Sequence, residues 1–102
     1  IIELKSKDIQ PVIKDGNLLN ALIFVESRGD DSAIGDRHLI GNEAVGVLQI
    51  RPIMVREVNR ILTIQGKTHR FNLKDRFDRQ QSIRMFMVWK YSIEKKMDMN
   101  EL

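Results

Sequence analysis

The sequence lacks cysteine altogether, and its 102 residues include only two prolines, one tryptophan and one tyrosine. Without cysteine, neither disulfide bonds nor thiolate metal sites can contribute to the fold. Long hydrophobic runs are also missing, and the longest apolar stretches are far too short to span a bilayer as a helix. Because 42% of the residues are hydrophobic and 30% are charged, the composition indicates a folded globular protein.

The length and the charge limit the organisation and the partners. Residues 1–102 hold a single domain, since a chain of this size has no room for a second hydrophobic core. The net charge of +3 favours polyanions such as nucleic acid, anionic membranes and bacterial envelope polymers, without choosing among them. The chain begins Ile-Ile-Glu with no initiator methionine or signal peptide, so we expect a piece of a longer polypeptide.

The apolar spacing predicts a mainly helical α+β fold. A helix that begins with Asn17 as its N-cap and ends at Ser27 is apolar on more than one face, which predicts a position at the centre of the core. Further helices are predicted over residues 6–14, from Pro52 to the loop at residue 65, and from about Asp78 to Met97. Charged residues of the last third predict a solvated helical face; the basic ones are Lys74, Arg76, Arg79, Arg84 and Lys90.

Glycines at positions 35, 41 and 46 predict a small irregular β-hairpin or three-stranded sheet over residues 33–50. The residues with high β-propensity in this segment are Val45, Val47, Leu48 and Ile50. We therefore expect residues 47–50 to form a strand that faces the helix ending at Ser27.

Glu26 is the only carboxylate in the apolar stretch of residues 17–29, and it lies on the last turn of the predicted helix. Cleavage of a glycosidic bond needs a proton for the leaving oxygen, and a glutamic acid supplies it near neutral pH when partial burial raises its pKa. Phe24, Val25 and the facing strand are expected to form an apolar wall around this carboxyl group. The alternative is an ordinary exposed glutamate at a helix end, which is the commoner situation.

Two segments carry a resemblance to a known family. Residues 21–29, Ala-Leu-Ile-Phe-Val-Glu-Ser-Arg-Gly, followed by residues 46–52, Gly-Val-Leu-Gln-Ile-Arg-Pro, resemble motifs of the soluble lytic transglycosylases and goose-type lysozymes. In that family Glu-Ser-x-Gly precedes Gly-Leu-Met-Gln. The Ile-Gly-Asp-Arg step at residues 34–37 is similar to the goose-type hairpin. The resemblance covers residues 17–60 well and residues 72–92 loosely.

The resemblance implies a lysozyme-like fold and a role for each matching residue. Glu26 is implied to be the catalytic acid, Ser27, Gly46 and Gln49 to bind saccharide, and Asp36 to position a water molecule. For Asp36 a turn-forming residue is an equally good interpretation. The implied partner is the glycan strand of peptidoglycan in the bacterial periplasm or envelope, with the chain carried by a larger polypeptide or a phage particle. No cofactor or metal is implied, and His38 and His69 lack metal-ligand spacing.

Departures from the family pattern leave other functions open. Ser82 stands where many relatives carry asparagine, and the aromatic-Asn-Gly stretch that usually follows is missing, so we expect a fold truncated at Leu102. A non-catalytic lysozyme-like domain with a structural or saccharide-binding role is therefore an alternative. Nucleic-acid binding through the basic last helix is disfavoured, because the sequence has neither interleaved aromatic residues nor a known motif.

Overall fold

The computed structural model describes the backbone of residues 15–101 and the side chains of residues 16–97. This part of the chain forms a mainly helical α+β domain, which confirms the predicted class. Its elements in order are α1 (Asp15–Ser27), β1 (Ile34–Gly35), β2 (Ala44–Val45), α2 (Pro52–Ile64), a 3-10 helix (Leu73–Phe77) and α3 (Arg79–Glu101). Strands β1 and β2 pair antiparallel, with Ile34 opposite Val45. The helix predicted for residues 6–14 lies outside the described residues.

Helix α1 lies at the edge of the core, and its predicted central position is wrong. Leu22 is buried, whereas Phe24 and Val25 are 63% and 64% exposed, so only one face of the helix packs on the core. The prediction of Asn17 as N-cap is also wrong, because this residue lies within the helix. The end at Ser27 is confirmed, and Arg28 and Gly29 follow with the left-handed φ values of 53° and 83°.

Helices α2 and α3 supply about half of the buried hydrophobic residues of the core, and most of the others lie in residues 44–50. Helix α2 begins at Pro52 as predicted, and its apolar stripe is buried at Val55, Val58, Ile61 and Leu62. Asp78 caps α3, since its carboxylate accepts a hydrogen bond from the Gln81 amide at 3.0 Å. Between residues 15 and 101, no helix combines the length and the apolar character needed to cross a membrane.

The segment of residues 46–49 is a buried turn, and the prediction of a strand over residues 47–50 is wrong. Val45 and Ile50 flank the turn and exchange two backbone hydrogen bonds of 3.1 and 3.0 Å. All residues from 44 to 50 are buried. A buried turn is stable only if its backbone polar groups find partners. Here the Val47 carbonyl oxygen accepts from Ser27 of α1, and the Gly46 amide donates to the Ala33 carbonyl oxygen.

Two residues of the predicted basic face are buried: for Arg76 this contradicts the prediction, whereas the aliphatic stem of Lys90 is predicted to lie on the apolar stripe of the last helix. Arg76 is 6% exposed, and its guanidinium donates to the carbonyl oxygens of Glu43, Ile50 and Leu73 at 2.9 Å each. Desolvation lowers the pKa of Arg76, and the charge of Glu43 partly offsets this effect. Lys90 is 3% exposed and forms an ion pair with Glu94. The other three basic residues of that set are exposed, as predicted.

Candidate functional site

The C-terminal end of α1 is joined to the buried turn through Ser27. The Ser27 hydroxyl donates to the Val47 carbonyl oxygen at 2.8 Å, and its oxygen accepts the Gly29 amide at 3.2 Å. The hydroxyl therefore links two segments that are 20 residues apart in sequence. The last turn of α1, which carries Glu26, is thereby held against the turn that contains Gly46 and Gln49.

The Glu26 side chain has one carboxylate oxygen that is buried without a hydrogen-bond partner. The residue as a whole is half-buried, but its Oε1 atom is fully buried and has no hydrogen-bond partner. Among residues 16–97, it is the only buried side-chain oxygen or nitrogen in this condition. Buried polar groups in folded proteins are nearly always hydrogen-bonded, and exceptions occur at catalytic sites, at strained sites and where a water molecule or an ion binds. The prediction that Phe24 and Val25 form an apolar wall around the Glu26 carboxyl group is wrong, because both side chains are exposed.

Gly46 lies where the buried turn makes its closest approach to the 3-10 helix. Its φ of 83° is in the left-handed region, and a Cβ atom at this position would stand 1.8 Å from the Arg76 carbonyl oxygen. Its amide donates to the Ala33 carbonyl oxygen at 2.8 Å. Only glycine fits this position. The geometry gives Gly46 a structural role, and saccharide binding by its backbone stays a prediction.

Gln49 holds the turn against the start of the hairpin. The residue adopts a φ of 49° and is only 8% exposed. Its Nε2 atom donates to the carbonyl oxygens of Gly46 at 3.0 Å and Ala33 at 3.2 Å. These contacts use the amide inside the protein, where it connects the turn to the segment that follows α1. Its predicted contact with saccharide stays a prediction.

Asp36 directly follows β1, next to Gly35, whose backbone lies against the Gln49 side chain. Its carboxylate forms an ion pair with Arg51, the residue before α2, and the same guanidinium donates to the Asn42 carbonyl oxygen at 2.6 Å. Asp36 has a φ of 55°, and its carbonyl oxygen accepts the Leu39 amide at 2.8 Å. This geometry agrees with the turn-forming interpretation. A role for Asp36 in positioning water stays a prediction.

Hydrogen bonds through Val47 and Ala33 thus join Ser27, Gly46 and Gln49, and Glu26 lies beside Ser27 on the last turn of α1, whereas the Asp36 carboxylate pairs with Arg51. Sequence reasoning missed Arg76, which closes the junction from behind Gly46. The capping box of Asn72 and Asp75 is a local signal for the short helix that carries Arg76, but it does not predict that the Arg76 side chain is buried. Among residues 16–97, no group of three or more His, Asp or Glu side chains is arranged to hold a metal ion.

Comparisons of this chain with family models, with curated proteins and with solved structures found no match. The resemblance to the lytic transglycosylases and goose-type lysozymes therefore depends on the residues of the two motifs. The buried Oε1 atom of Glu26, which has no hydrogen-bond partner, is an observation that does not depend on that resemblance.

Proposed function

We propose that this chain is a lysozyme-like domain that cleaves peptidoglycan, with Glu26 as general acid and base. The bond cleaved is the β-1,4 linkage between N-acetylmuramic acid and N-acetylglucosamine, as in a lytic transglycosylase or a muramidase. One observation carries the proposal: the buried Oε1 atom of Glu26 has no hydrogen-bond partner at the end of α1. Such an atom costs free energy of folding, about 1–3 kcal/mol for an unpaired buried group, and a catalytic role accounts for its retention.

The chemistry requires one carboxyl group that changes roles. Glu26 first donates its proton to the bridging oxygen as the glycosidic bond breaks, and the leaving sugar departs as an alcohol. The resulting carboxylate then removes a proton from the nucleophile that attacks the anomeric carbon. In a transglycosylase that nucleophile is the 6-hydroxyl of the same muramic acid, which gives a 1,6-anhydro product, whereas in an inverting hydrolase a second carboxylate takes the proton from the attacking water.

The ion pair of Asp36 with Arg51 favours the transglycosylase route. A hydrolase of the inverting type needs a second carboxylate that activates water across the scissile bond. Asp36 is the sequence candidate for that role, but its carboxylate is committed to an arginine at the start of α2. The transglycosylase route needs no second acid, so Glu26 suffices.

Ser27 and Gln49 support the proposal as positioning residues. Ser27 anchors the last turn of α1 on the Val47 carbonyl oxygen, and Gln49 anchors the turn on the Ala33 carbonyl oxygen. A general acid must be held within hydrogen-bond reach of the oxygen that it protonates. These two bonds restrict the movement of the helix end on which Glu26 lies.

A non-catalytic role is the second candidate. The burial of Gln49 and the pairing of Asp36 favour it, because neither side chain is presented as a free ligand for saccharide. In this case the chain would be a structural or saccharide-binding part of a virion or secretion assembly. Binding of chitooligosaccharide without any cleavage would support this candidate.

The release of soluble muropeptides from purified sacculi tests the catalytic proposal. The wild-type chain is compared with Glu26→Gln, which keeps the shape of the side chain but removes its acid function. Glu57→Gln is the matched control, because Glu57 lies on α2 and pairs with Arg60 at 2.9 Å. We expect release by the wild type and by the control only. Equal release by all three proteins would remove Glu26 from the mechanism.

The mass of the released product separates the two routes. A transglycosylase leaves a 1,6-anhydro end, which is lighter by one water molecule than the reducing end left by a hydrolase. We expect the anhydro product because Asp36 is paired with Arg51. A reducing end, together with loss of release in Asp36→Asn, would instead establish a hydrolase that uses Asp36.

A further inference from the structure

A cavity lies between the end of α2, the loop that follows it and α3. The cavity has a volume of about 430 Å³, and its floor includes Leu62, Phe71 and Met87. Leu62 and Phe71 are each 5% exposed and belong to the hydrophobic core. A mostly apolar concavity of this size falls within the range of small-molecule sites. Neither Glu26 nor Gln49 lines it.

The rim of this cavity carries positive charge. Lys67 and Arg84 line it, and no aspartate or glutamate is among its lining residues. The Arg84 guanidinium lies 5.6 Å from the centre of the Phe71 ring and donates to the Gln81 side chain at 3.2 Å. Within the described part of the chain, no carboxylate forms an ion pair with Lys67 or Arg84. The positive charges of Lys67 and Arg84 can therefore attract an anionic ligand to the cavity mouth.

A smaller neighbouring cavity extends the same charge pattern. Its volume is about 270 Å³, and it shares Gln65 and Tyr91 with the first. Its lining includes Arg60, Lys95 and Lys96, again without a carboxylate. Arg60 is paired with Glu57, but Lys95 and Lys96 leave an excess of positive charge at this opening, which attracts anions toward the face.

We propose that the 430 Å³ cavity binds a free organic anion with a single apolar chain. The chain would pack on Leu62, Phe71 and Met87, and a carboxylate head group would lie between Lys67 and Arg84. The apolar floor supplies affinity through burial, and the two cations select for negative charge. Met87 suits this role, since its flexible side chain adapts to chains of different shape.

Three probes that share one alkyl chain test this assignment on the whole chain. Octanoate, octan-1-ol and octylammonium carry a negative, a neutral and a positive head group, and backbone amide NMR shifts locate their binding. We expect octanoate to shift the amides of Leu62, Phe71 and Met87 and to half-saturate at a concentration several-fold below that of octan-1-ol. Octylammonium is expected to bind most weakly of the three. Equal half-saturation by all three probes would overturn the proposed selectivity for anions.

Charge-removing variants test the two cations. Lys67→Gln and Arg84→Gln should each weaken octanoate binding about fivefold, the upper range for exposed ion pairs, and leave octan-1-ol binding unchanged. Lys74→Gln is the matched control, because Lys74 is exposed and lies outside the lining of this cavity. An affinity for octanoate that is the same in both variants as in the wild type would contradict the proposal.

Two further outcomes would also overturn it. One is octanoate shifts that map away from the cavity. The other is binding to anionic phosphatidylglycerol vesicles that depends on Lys67 and Arg84 while octanoate causes no shift, which would assign this face to a membrane surface. Because none of these measurements involves Glu26, their outcome is independent of the proposed glycosidase activity.

Discussion

The hydroxyl of Ser27 donates to the carbonyl oxygen of Val47 at 2.8 Å and so joins α1 to the buried turn of residues 46–49. This contact adds to the packing of Leu22 on the core and fixes the C-terminal end of the helix. Glu26 precedes Ser27 on the same helical turn, so the bond also limits the movement of the candidate catalytic acid. The stability of the protein should therefore depend on Ser27 itself.

Ser27→Ala should lower the free energy of unfolding by about 1 kcal/mol, the usual cost of one lost hydrogen bond that leaves a carbonyl unpaired. Urea denaturation measures this change. Ser32→Ala is the matched control, because the Ser32 hydroxyl bonds only to the nearby exposed Asp30 carboxylate at 2.7 Å. A similar loss of stability in the two variants would show that the bond between Ser27 and Val47 contributes nothing special.

Gly46→Ala should destabilise the protein severely. The added Cβ atom would stand 1.8 Å from the Arg76 carbonyl oxygen, and the backbone φ is 83°. Because a backbone atom blocks the methyl group, either the turn or the 3-10 helix must move, and we expect a cost of about 3 kcal/mol or more.

Gly66→Ala separates the clash from the backbone strain. Gly66 also has a left-handed φ, 72°, but a methyl group added there would meet no atom within 4 Å beyond its immediate chain neighbours. We therefore expect only about 1–2 kcal/mol for this control, the cost of left-handed φ in a residue with a side chain. Thermal melting of both variants makes the comparison. Equal melting temperatures would argue against the close approach of Gly46 to Arg76.

Arg76→Met should cost about 3 kcal/mol, because it removes the donors that serve the carbonyl oxygens of Glu43, Ile50 and Leu73. Arg79→Met is the matched control. Arg79 pairs with Asp31 at 2.9 Å, and both side chains are 47% exposed, so its loss should cost less than about 1 kcal/mol. Urea midpoints of the two variants decide between the roles. A urea midpoint of Arg76→Met equal to that of the wild type would show that the buried carbonyl oxygens find other hydrogen-bond donors.

Glu43 should make stability depend on pH on the acid side. Hydrogen bonds from the backbone amides of Glu43 and Gly41 lower its pKa below the ordinary value of 4.5. A carboxylate with a lowered folded-state pKa contributes stability above about pH 4.5, and this contribution is lost as pH falls through the folded-state pKa. Glu43→Gln should therefore be less stable than wild type at pH 7, with the difference shrinking as pH falls below 4.5. A difference that is constant with pH would contradict this prediction.

The parts of the fold that the sequence predicts well depend on local signals. Pro52 and the stripe that contains Val55 and Val58 define α2, and Asp78 marks the start of α3. The sequence predicts a strand where the turn of residues 46–49 lies, because Val47 and Leu48 have β-forming or apolar side chains. Their burial, rather than an extended backbone, explains those residue types.

Long-range contacts decide what the sequence does not predict. Arg76 is buried because it meets the carbonyl oxygens of Glu43 and Ile50, which lie 33 and 26 residues away. No local sequence pattern predicts such a long-range contact. Within the candidate site, the position of Glu26 at a helix end follows from the helix stop signal. The pairing of Asp36 with Arg51 does not, because the motif fixes residue types and leaves their partners undefined.

The rate of muropeptide release by Glu26→Gln, relative to wild type, tests the central claim most directly. Loss of a general acid is expected to reduce the rate by at least about 100-fold, while the far-ultraviolet spectrum and melting temperature show that the variant is folded. The proposed mechanism predicts this loss in Glu26→Gln and near wild-type release in Glu57→Gln. Release by Glu26→Gln at the wild-type rate would contradict the claim that the half-buried carboxyl group at the end of α1 is the catalytic acid.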